Sequence, residues 1–306
     1  MDAELTHVSA GPGAPRPEPV AVTPGSGVAL STSGMLEVGA GELTLVLADI
    51  ERRYGYDFRD YAYASLKRRF RQFARNEHLA SMPELRECVL ERPDCMARLL
   101  NTVSVSVTSM FRDPGCYLAL REKVVPRLRS AHSIRVWVAG CATGEEAYSL
   151  AILLKEEGLC DSARIYATDL VQPMIDAARA GIFSTRKMPE FTRNYMAAGG
   201  TRPFCEYYSA EDDCATLASA LQANIVWAVH NLVTDGSFNE FQVIFCRNVM
   251  IYFTAALQVR VHKLLYDSLA VGGFLVVGSH EAIAGSPHED CYAALDVDAR
   301  IYRKVK

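Results

Sequence analysis

From Leu43 to about Val105 the apolar residues recur at helical spacing. Leu43, Val46, Leu47 and Ile50 mark one face of a first helix that ends near Tyr54-Gly55. Leu66, Phe70 and Phe73 repeat at i, i+4 and i+7 on a second, whose other side carries Lys67, Arg71 and Arg75, joined by Arg68. A third helix is expected over roughly 82–90 and a fourth over 94–103. No strand pattern interrupts them, so a small all-α domain is predicted over 41–113. Pro114 starts a linker helix that runs through Leu118 and Val125 to Leu128, within 114–130.

The period then changes. "IRVWVAG" (134–140), "RIYATDL" (164–170), "NIVWAVHNL" (224–232), "FQVIFCRNV" (241–249) and "GGFLVVGSHE" (272–281) read as strands, and "RIYRKV" (300–305) as a last one. Helical stretches alternate with them, at 145–158, 173–181 and about 254–270. This alternation predicts an α/β domain over 131–306, a parallel sheet wound on both faces with ligand sites at the carboxyl ends of its strands. The order lapses at about 188–220, which reads as a small inserted lobe with a possible hairpin turn at Gly199-Gly200.

Composition adds exclusions. The 306 residues are half apolar, 22% charged and carry a net charge of -4, values of an ordinary soluble globular protein. That balance argues against nucleic-acid binding, and no apolar run reaches membrane-span length. Residues 1–40, rich in Gly, Pro, Ala, Ser and Thr, read as a disordered tail without a secretory leader. Nine cysteines, none in a CxxC pair, predict reduced thiols in a cytoplasmic protein and no metal site.

Gly140-Cys141-Ala142-Thr143-Gly144 follows a strand and opens a helix, and Asp169 closes the next strand. Glycine lets such a loop turn sharply beside a ligand, and a carboxylate at the second strand end can accept both hydroxyls of a ribose. The loop is neither GxGxxG nor a P-loop. Glu145 and Glu146 just beyond it would repel a pyrophosphate but suit a cationic nucleoside, for which S-adenosylmethionine is the natural candidate. A tight turn with no ligand, and acids placed for the helix dipole, would account for the same residues.

Six stretches carry a more specific signal: "SVTSMFRDP" (106–114), "VWVAGCATGEEAYSLAILL" (136–154), "YATDL" with "ARAGIF" (166–183), "HNL" (230–232), "FCRNVMIYF" (245–253) and "GGFLVVGSHE" (272–281). In that order they resemble the CheR family of chemotaxis methyltransferases, from about residue 41 to the end. The resemblance implies an α/β fold: a Rossmann-like class I methyltransferase domain with a small inserted β-subdomain, preceded by an all-α domain. It implies transfer of a methyl group from S-adenosylmethionine to glutamate side chains of a methyl-accepting receptor, on the receptor's cytoplasmic helical coiled coil. The protein would meet the membrane only through that receptor, as a monomer.

The family's cofactor contacts fall on Ser106, Thr108, Arg112, Glu146, Asp169, Asn231, Leu232, Arg247 and Asn248, beside the loop glycines Gly140 and Gly144. Its catalytic pair falls on Arg112 and Tyr252. Ser106 stands where Asn is frequent, and Met110 where Phe is usual. The stripe Lys67, Arg68, Arg71, Arg75 becomes a candidate docking face for an acidic receptor. In some members the inserted lobe grips a receptor's C-terminal peptide, but here that segment does not read as three clean strands.

Apart from the resemblance, the same residues have plainer readings. Arg112 could cap a helix or pair with Asp113, Tyr252 could be core, Asn231 and Asn248 could be turn residues, and the basic stripe could be a solvated face. His230 and His280 read as structural. A glutamate nucleophile with an ordinary pKa of about 4.3 is already ionised at pH 7, so no general base is required. Two further functions stay open: a signalling adaptor that binds S-adenosylmethionine or S-adenosylhomocysteine without turnover, and a methyltransferase with another substrate.

Overall fold

A computed structural model describes residues 37–103 and 108–306. The helical module consists of α1 (Ala40–Tyr54), α2 (Tyr63–Asn76), α3 (Met82–Glu91) and α4 (Pro93–Val103). Local signals set its ends. Gly55, at φ 77°, closes α1 by donating its N–H to the Glu51 carbonyl. Ser81 Oγ accepts from Glu84 N–H at 3.3 Å, while the Glu84 carboxylate reaches back to Ala80 N–H at 2.9 Å, a reciprocal cap that starts α3. Leu43, Ile50, Phe70, Phe73, Leu85 and Leu99 fill one core.

Two expectations are corrected here. Val38 is buried in that core, so the chain is anchored before residue 40; residues 1–36 of the expected tail lie outside the described residues. Cys88 and Cys95 are joined as a disulfide, not reduced. The break at Arg92-Pro93 folds α4 back on α3 and brings the two Cα atoms to 6.1 Å, a separation a disulfide spans. The other seven cysteines are free, with Cys116, Cys141 and Cys246 buried.

Next, α5 (Pro114–Ala119) passes through a π-turn at Leu120–Val124 into α6 (Val125–Leu128). The α/β domain then runs β1 (Ile134–Ala139), α7 (Glu145–Glu156), β2 (Ala163–Asp169) and α8 (Gln172–Ala180). The insert follows: β3 (Ile182–Ser184), α9 (Met188–Ala197), β4 (Tyr208–Glu211) and β5 (Cys214–Leu217). The domain closes with β6 (Ile225–Val229), β7 (Phe241–Cys246), α10 (Ala255–Ser268), β8 (Leu269–Val277), β9 (Tyr292–Asp296) and β10 (Ile301–Lys304).

The large sheet has the order β6-β2-β1-β7-β8-β10-β9. Its first five strands are parallel, whereas β10 runs antiparallel to both β8 and β9. The sheet is therefore mixed, because β9, which the periodicity does not reveal, forms a hairpin with β10. Strands β2 and β7 flank β1 on opposite sides, so the connections diverge there and open a crevice at the carboxyl ends.

The inserted lobe also differs from expectation. It begins at Ile182 and holds three antiparallel strands in the order β3-β5-β4, with α9 between β3 and β4 along the chain. The hairpin turn lies between β4 and β5, where Asp212 has φ 52°, and not at Gly199-Gly200. Those glycines end α9 instead: Gly200 N–H reaches the Tyr195 carbonyl, and a Cβ there would lie 2.2 Å from the Tyr195 ring. Glu156 of α7 anchors the lobe by accepting from the hydroxyls of Tyr195 and Tyr207 and pairing with Arg121.

The two domains share backbone. Tyr61, in the loop before α2, makes an antiparallel bridge with Phe253, and Thr254 N–H donates to the Asp60 carbonyl at 2.9 Å. The Tyr61 and Phe253 rings meet edge to face at 5.0 Å between centroids. No helix among the described residues is long and apolar enough to cross a membrane.

Candidate active site

The crevice holds a cavity roofed by the helical module. Thr108, Arg112, Gly140, Glu146, Asp169, Asn231, Leu232, Arg247, Asn248 and Tyr252, all expected from the sequence, line it together. Gly144 does not; a Cβ there would lie 3.0 Å from Ala178 Cβ, so this glycine, at φ 94°, serves the packing of α7 on α8. Lys67, Arg68, Arg71 and Arg75 also lie off the cavity, with Arg68 and Arg75 exposed. Ser106 lies outside the described residues.

The loop after β1 is built for close approach. Gly140 and Cys141 both donate N–H to the Thr168 carbonyl, and a Cβ on Gly140 would sit 2.6 Å from Val249 Cγ2. Only glycine lets this loop touch the one that follows β7. Ala142, at φ 47°, turns its N–H onto Asp169 Oδ2 at 2.9 Å, while Val171 N–H meets Oδ1 at 3.2 Å. The carboxylate is thus aimed by two amides. Burial pushes the Asp169 carboxyl above its ordinary pKa, partly opposed by backbone N–H groups.

Arg247 ties the site together. It is 6% exposed and donates to Glu146 Oε1 at 2.7 Å, to Asp113 Oδ2 at 2.8 Å and to the Arg112 carbonyl at 3.2 Å. Burial disfavours its charge, but Glu146, Cys116 and Tyr117 together outweigh that and raise its pKa. The segment it grips is strained: Phe111 and Asp113, on either side of Arg112, have φ 51° and 55°. A positive φ is uncommon for non-glycine residues, costs roughly 1–3 kcal/mol and clusters at functional sites.

Asn231 and Asn248 combine both readings, as turn formers and cavity walls. Asn231 Oδ1 accepts from Val233 N–H at 2.9 Å, and Asn248 adopts φ 59°. His230 is a wall as well as a structural residue; its Nε2 meets the Gly236 carbonyl at 3.1 Å and its ring packs edge-on to Trp137.

Sequence reasoning misses the share of the helical module. Phe58, Tyr61, Ser65, Leu66 and Arg69 all line the cavity. Ser65 and Arg69 are four apart on α2, and that spacing was the available signal. Burial, with the nearby Asp169 charge, raises the Tyr61 pKa, so its hydroxyl stays neutral. Glu145, expected with Glu146 to suit a cationic nucleoside, does not line the cavity. It is fully buried, accepts from Thr143 Oγ1 at 2.6 Å and pairs with Lys187 of the insert at 3.1 Å.

The donor set fits a sulfonium nucleoside carrying an amino-acid end. An aimed carboxylate (Asp169) suits a ribose diol, apolar Leu170, Met174, Leu232 and Val249 suit a flat ring, and Glu146 and Arg112 offer opposite charges to an α-ammonium and an α-carboxylate. One group of potential metal ligands occurs among the described residues, Glu77 with Cys88 and Cys95, but its sulfurs are bonded to each other and Glu77 is held by Arg98.

Fold and cavity thus define an α/β nucleoside-binding domain joined to a helical module. Residues 106–297 match the family described as "CheR methyltransferase, SAM binding domain", and residues 41–104 match "CheR methyltransferase, all-alpha domain". The chain belongs to the CheR methyltransferase family. The Cher3 protein of Pseudomonas putida is 45% identical over 263 residues, covering 86% of this chain and 96% of that one. The "Chemotaxis protein methyltransferase" of Listeria monocytogenes is 28% identical over 236 residues, covering 76% and 87%. "Chemotaxis protein methyltransferase 1" of Pseudomonas aeruginosa is 27% identical over 235 residues, covering 72% and 82%.

Proposed function

We propose that this protein is a protein-glutamate O-methyltransferase that esterifies glutamate side chains on the cytoplasmic coiled coil of a methyl-accepting chemotaxis receptor. The observation that carries the reading is the convergence of Arg112 and Tyr252 on a cavity that also presents Asp169 and Glu146, closed on one side by a helical module. The names of the Listeria and Pseudomonas aeruginosa relatives support the chemotactic setting.

When bound, S-adenosylmethionine supplies an electrophilic methyl group on a sulfonium. Asp169 would hold the ribose hydroxyls and Glu146 the α-ammonium, with Arg247 keeping Glu146 in place. Thr108, Asn231, Leu232 and Asn248 would complete the cofactor wall. Arg112 is suited to grip a carboxylate, because its planar fork fixes direction as well as charge. Tyr252 would orient the incoming glutamate oxygen. No side chain needs to take a proton, since the glutamate arrives ionised. Catalysis then rests on alignment, which is worth about 7–11 kcal/mol in well-oriented reactions, and on exclusion of water by the helical roof.

Incubation of the protein with methyl-labelled S-adenosylmethionine and receptor-containing membranes tests this. Base-labile label on receptor glutamates is the expected result. Label on a small molecule would favour a different methyltransferase, and cofactor binding without transfer would favour an adaptor.

A further inference from the structure

We propose that Glu281 is a positioning residue for the active-site loop, acting as an internal anion that holds Asn248 and Tyr252 in working order; this rests on the proposed function. Glu281 follows β8 and is 5% exposed. Its Oε2 accepts from Asn248 N–H and Gly278 N–H, both at 2.7 Å. Its Oε1 accepts from Val249 N–H at 2.9 Å and Met250 N–H at 2.7 Å. Three of the four donors are successive residues, the arrangement by which backbone amides bind anions. Here the anion belongs to the chain itself.

The surroundings are fitted to this contact. A Cβ on Gly278 would lie 2.6 Å from Glu281 Oε2 and 2.8 Å from Asn248 N, so glycine is required where the carboxylate enters. Across the loop, Val249 fills the space left by Gly140. The loop is therefore pinned between Glu281 and the glycine loop after β1. Asn248, held at φ 59°, and Tyr252, two residues past Met250, reach the cavity from this pinned stretch. The carboxylate is not part of the cavity lining; it acts through the backbone.

The test uses the full chain and the variant Glu281→Gln, which keeps shape but replaces one acceptor oxygen with an NH₂ facing two N–H groups. Three quantities are read: S-adenosylhomocysteine affinity and stoichiometry by calorimetry, methyl transfer per binding site, and hydrogen exchange at amides 248–250. The expected result is full stoichiometry, faster exchange at those amides, and transfer per site lower by about 100-fold, the scale set by ångström-level misplacement of reacting groups. Unchanged transfer per site and unchanged exchange, even with a lower Tm, would reduce Glu281 to a stability role and overturn the proposal. If Glu281→Gln does not fold, Gly278→Ala, which displaces the carboxylate but keeps its charge, carries the same expectations and the same refutation. A wild-type chain that binds S-adenosylhomocysteine but transfers nothing would sink the proposed function instead, and the exchange arm would still decide whether Glu281 holds the loop.

Discussion

Ala62 N–H donates to the Tyr252 carbonyl at 2.8 Å, so the loop that opens α2 is hydrogen-bonded to the residue proposed to orient the nucleophile. The helical module is therefore tied at this point to the segment that carries Tyr252. Replacing Tyr252 with Phe leaves the backbone bond and the ring and removes only the hydroxyl. The expected outcome is a kcat lower by about 10- to 100-fold with unchanged S-adenosylhomocysteine affinity, the signature of a contact made in the transition state. A raised Kd with normal kcat would assign Tyr252 to the cofactor instead.

Arg112→Ala should abolish methyl transfer and leave a folded protein. The backbone carbonyl that Arg247 holds is retained in the variant, and circular dichroism checks that the fold is kept. Full activity would refute the role.

Asp169 gives a pH prediction. Burial raises its pKa above the ordinary 3.8, so as pH falls the folded protein takes up this proton before the unfolded chain does. The ionised form therefore costs stability at neutral pH, and that cost is relieved as pH drops through the folded value. Binding runs the other way, because a ribose diol needs the charged acceptor. S-adenosylhomocysteine affinity should weaken on acidification at a higher pH than an ordinary aspartate would dictate. Asp169→Asn should lower neutral-pH affinity roughly tenfold, about the value of one charged hydrogen bond, and remove this limb of the titration. Identical acid limbs in the two proteins would exclude the assignment.

Glu156 behaves oppositely. Burial works against its charge, but hydrogen bonds from Tyr195, Arg121 and Tyr207 prevail and hold its pKa below the ordinary 4.5. Its contribution is present above that value and lost as pH falls through the lower, folded one. Glu156→Gln should cost about 3 kcal/mol at pH 7, the scale for breaking a buried ion pair. The gap between wild type and variant, measured by urea denaturation, should narrow in acid. A gap that does not change with pH would contradict this account.

The basic stripe is testable through salt. Charge reversal at Arg68 and Arg71 together should slow receptor methylation several-fold and flatten its dependence on ionic strength, because steering by exposed charge is screened. Equal rates and equal slopes would leave the stripe a solvated face.

Much of this molecule is legible in its sequence because its strongest signals are local. The first four helices carry their core faces in the pattern itself, two of them with a local stop or start signal at Gly55 and Ser81, and the parallel strands are apolar runs bounded by glycine and charge. The resemblance brings together nine of the cavity residues, and the glycine loop adds Gly140. What escaped depends on distant partners. Strand β3 has three residues and β4 and β5 four each, too short for alternation to show. The Asp212 turn joins two of them, and the lobe that holds them is anchored on Glu156 through Tyr195 and Tyr207. Arg69 looks like one more cation on a basic helix until the fold makes it line the same cavity as Asp169 and Tyr252. Glu281 looks like a surface acid until four amides from two segments converge on it.

Asp60 pairs with Arg260 across 200 residues, beside the bridge of Tyr61 with Phe253. Contacts of such separation form slowly, since chain entropy must be lost before they return anything. The helical module, made first at the ribosome, has to await the arrival of residue 253 before one wall of the cavity exists. A nascent or truncated chain thus carries the helical module while the cavity that it roofs is still without its opposite wall.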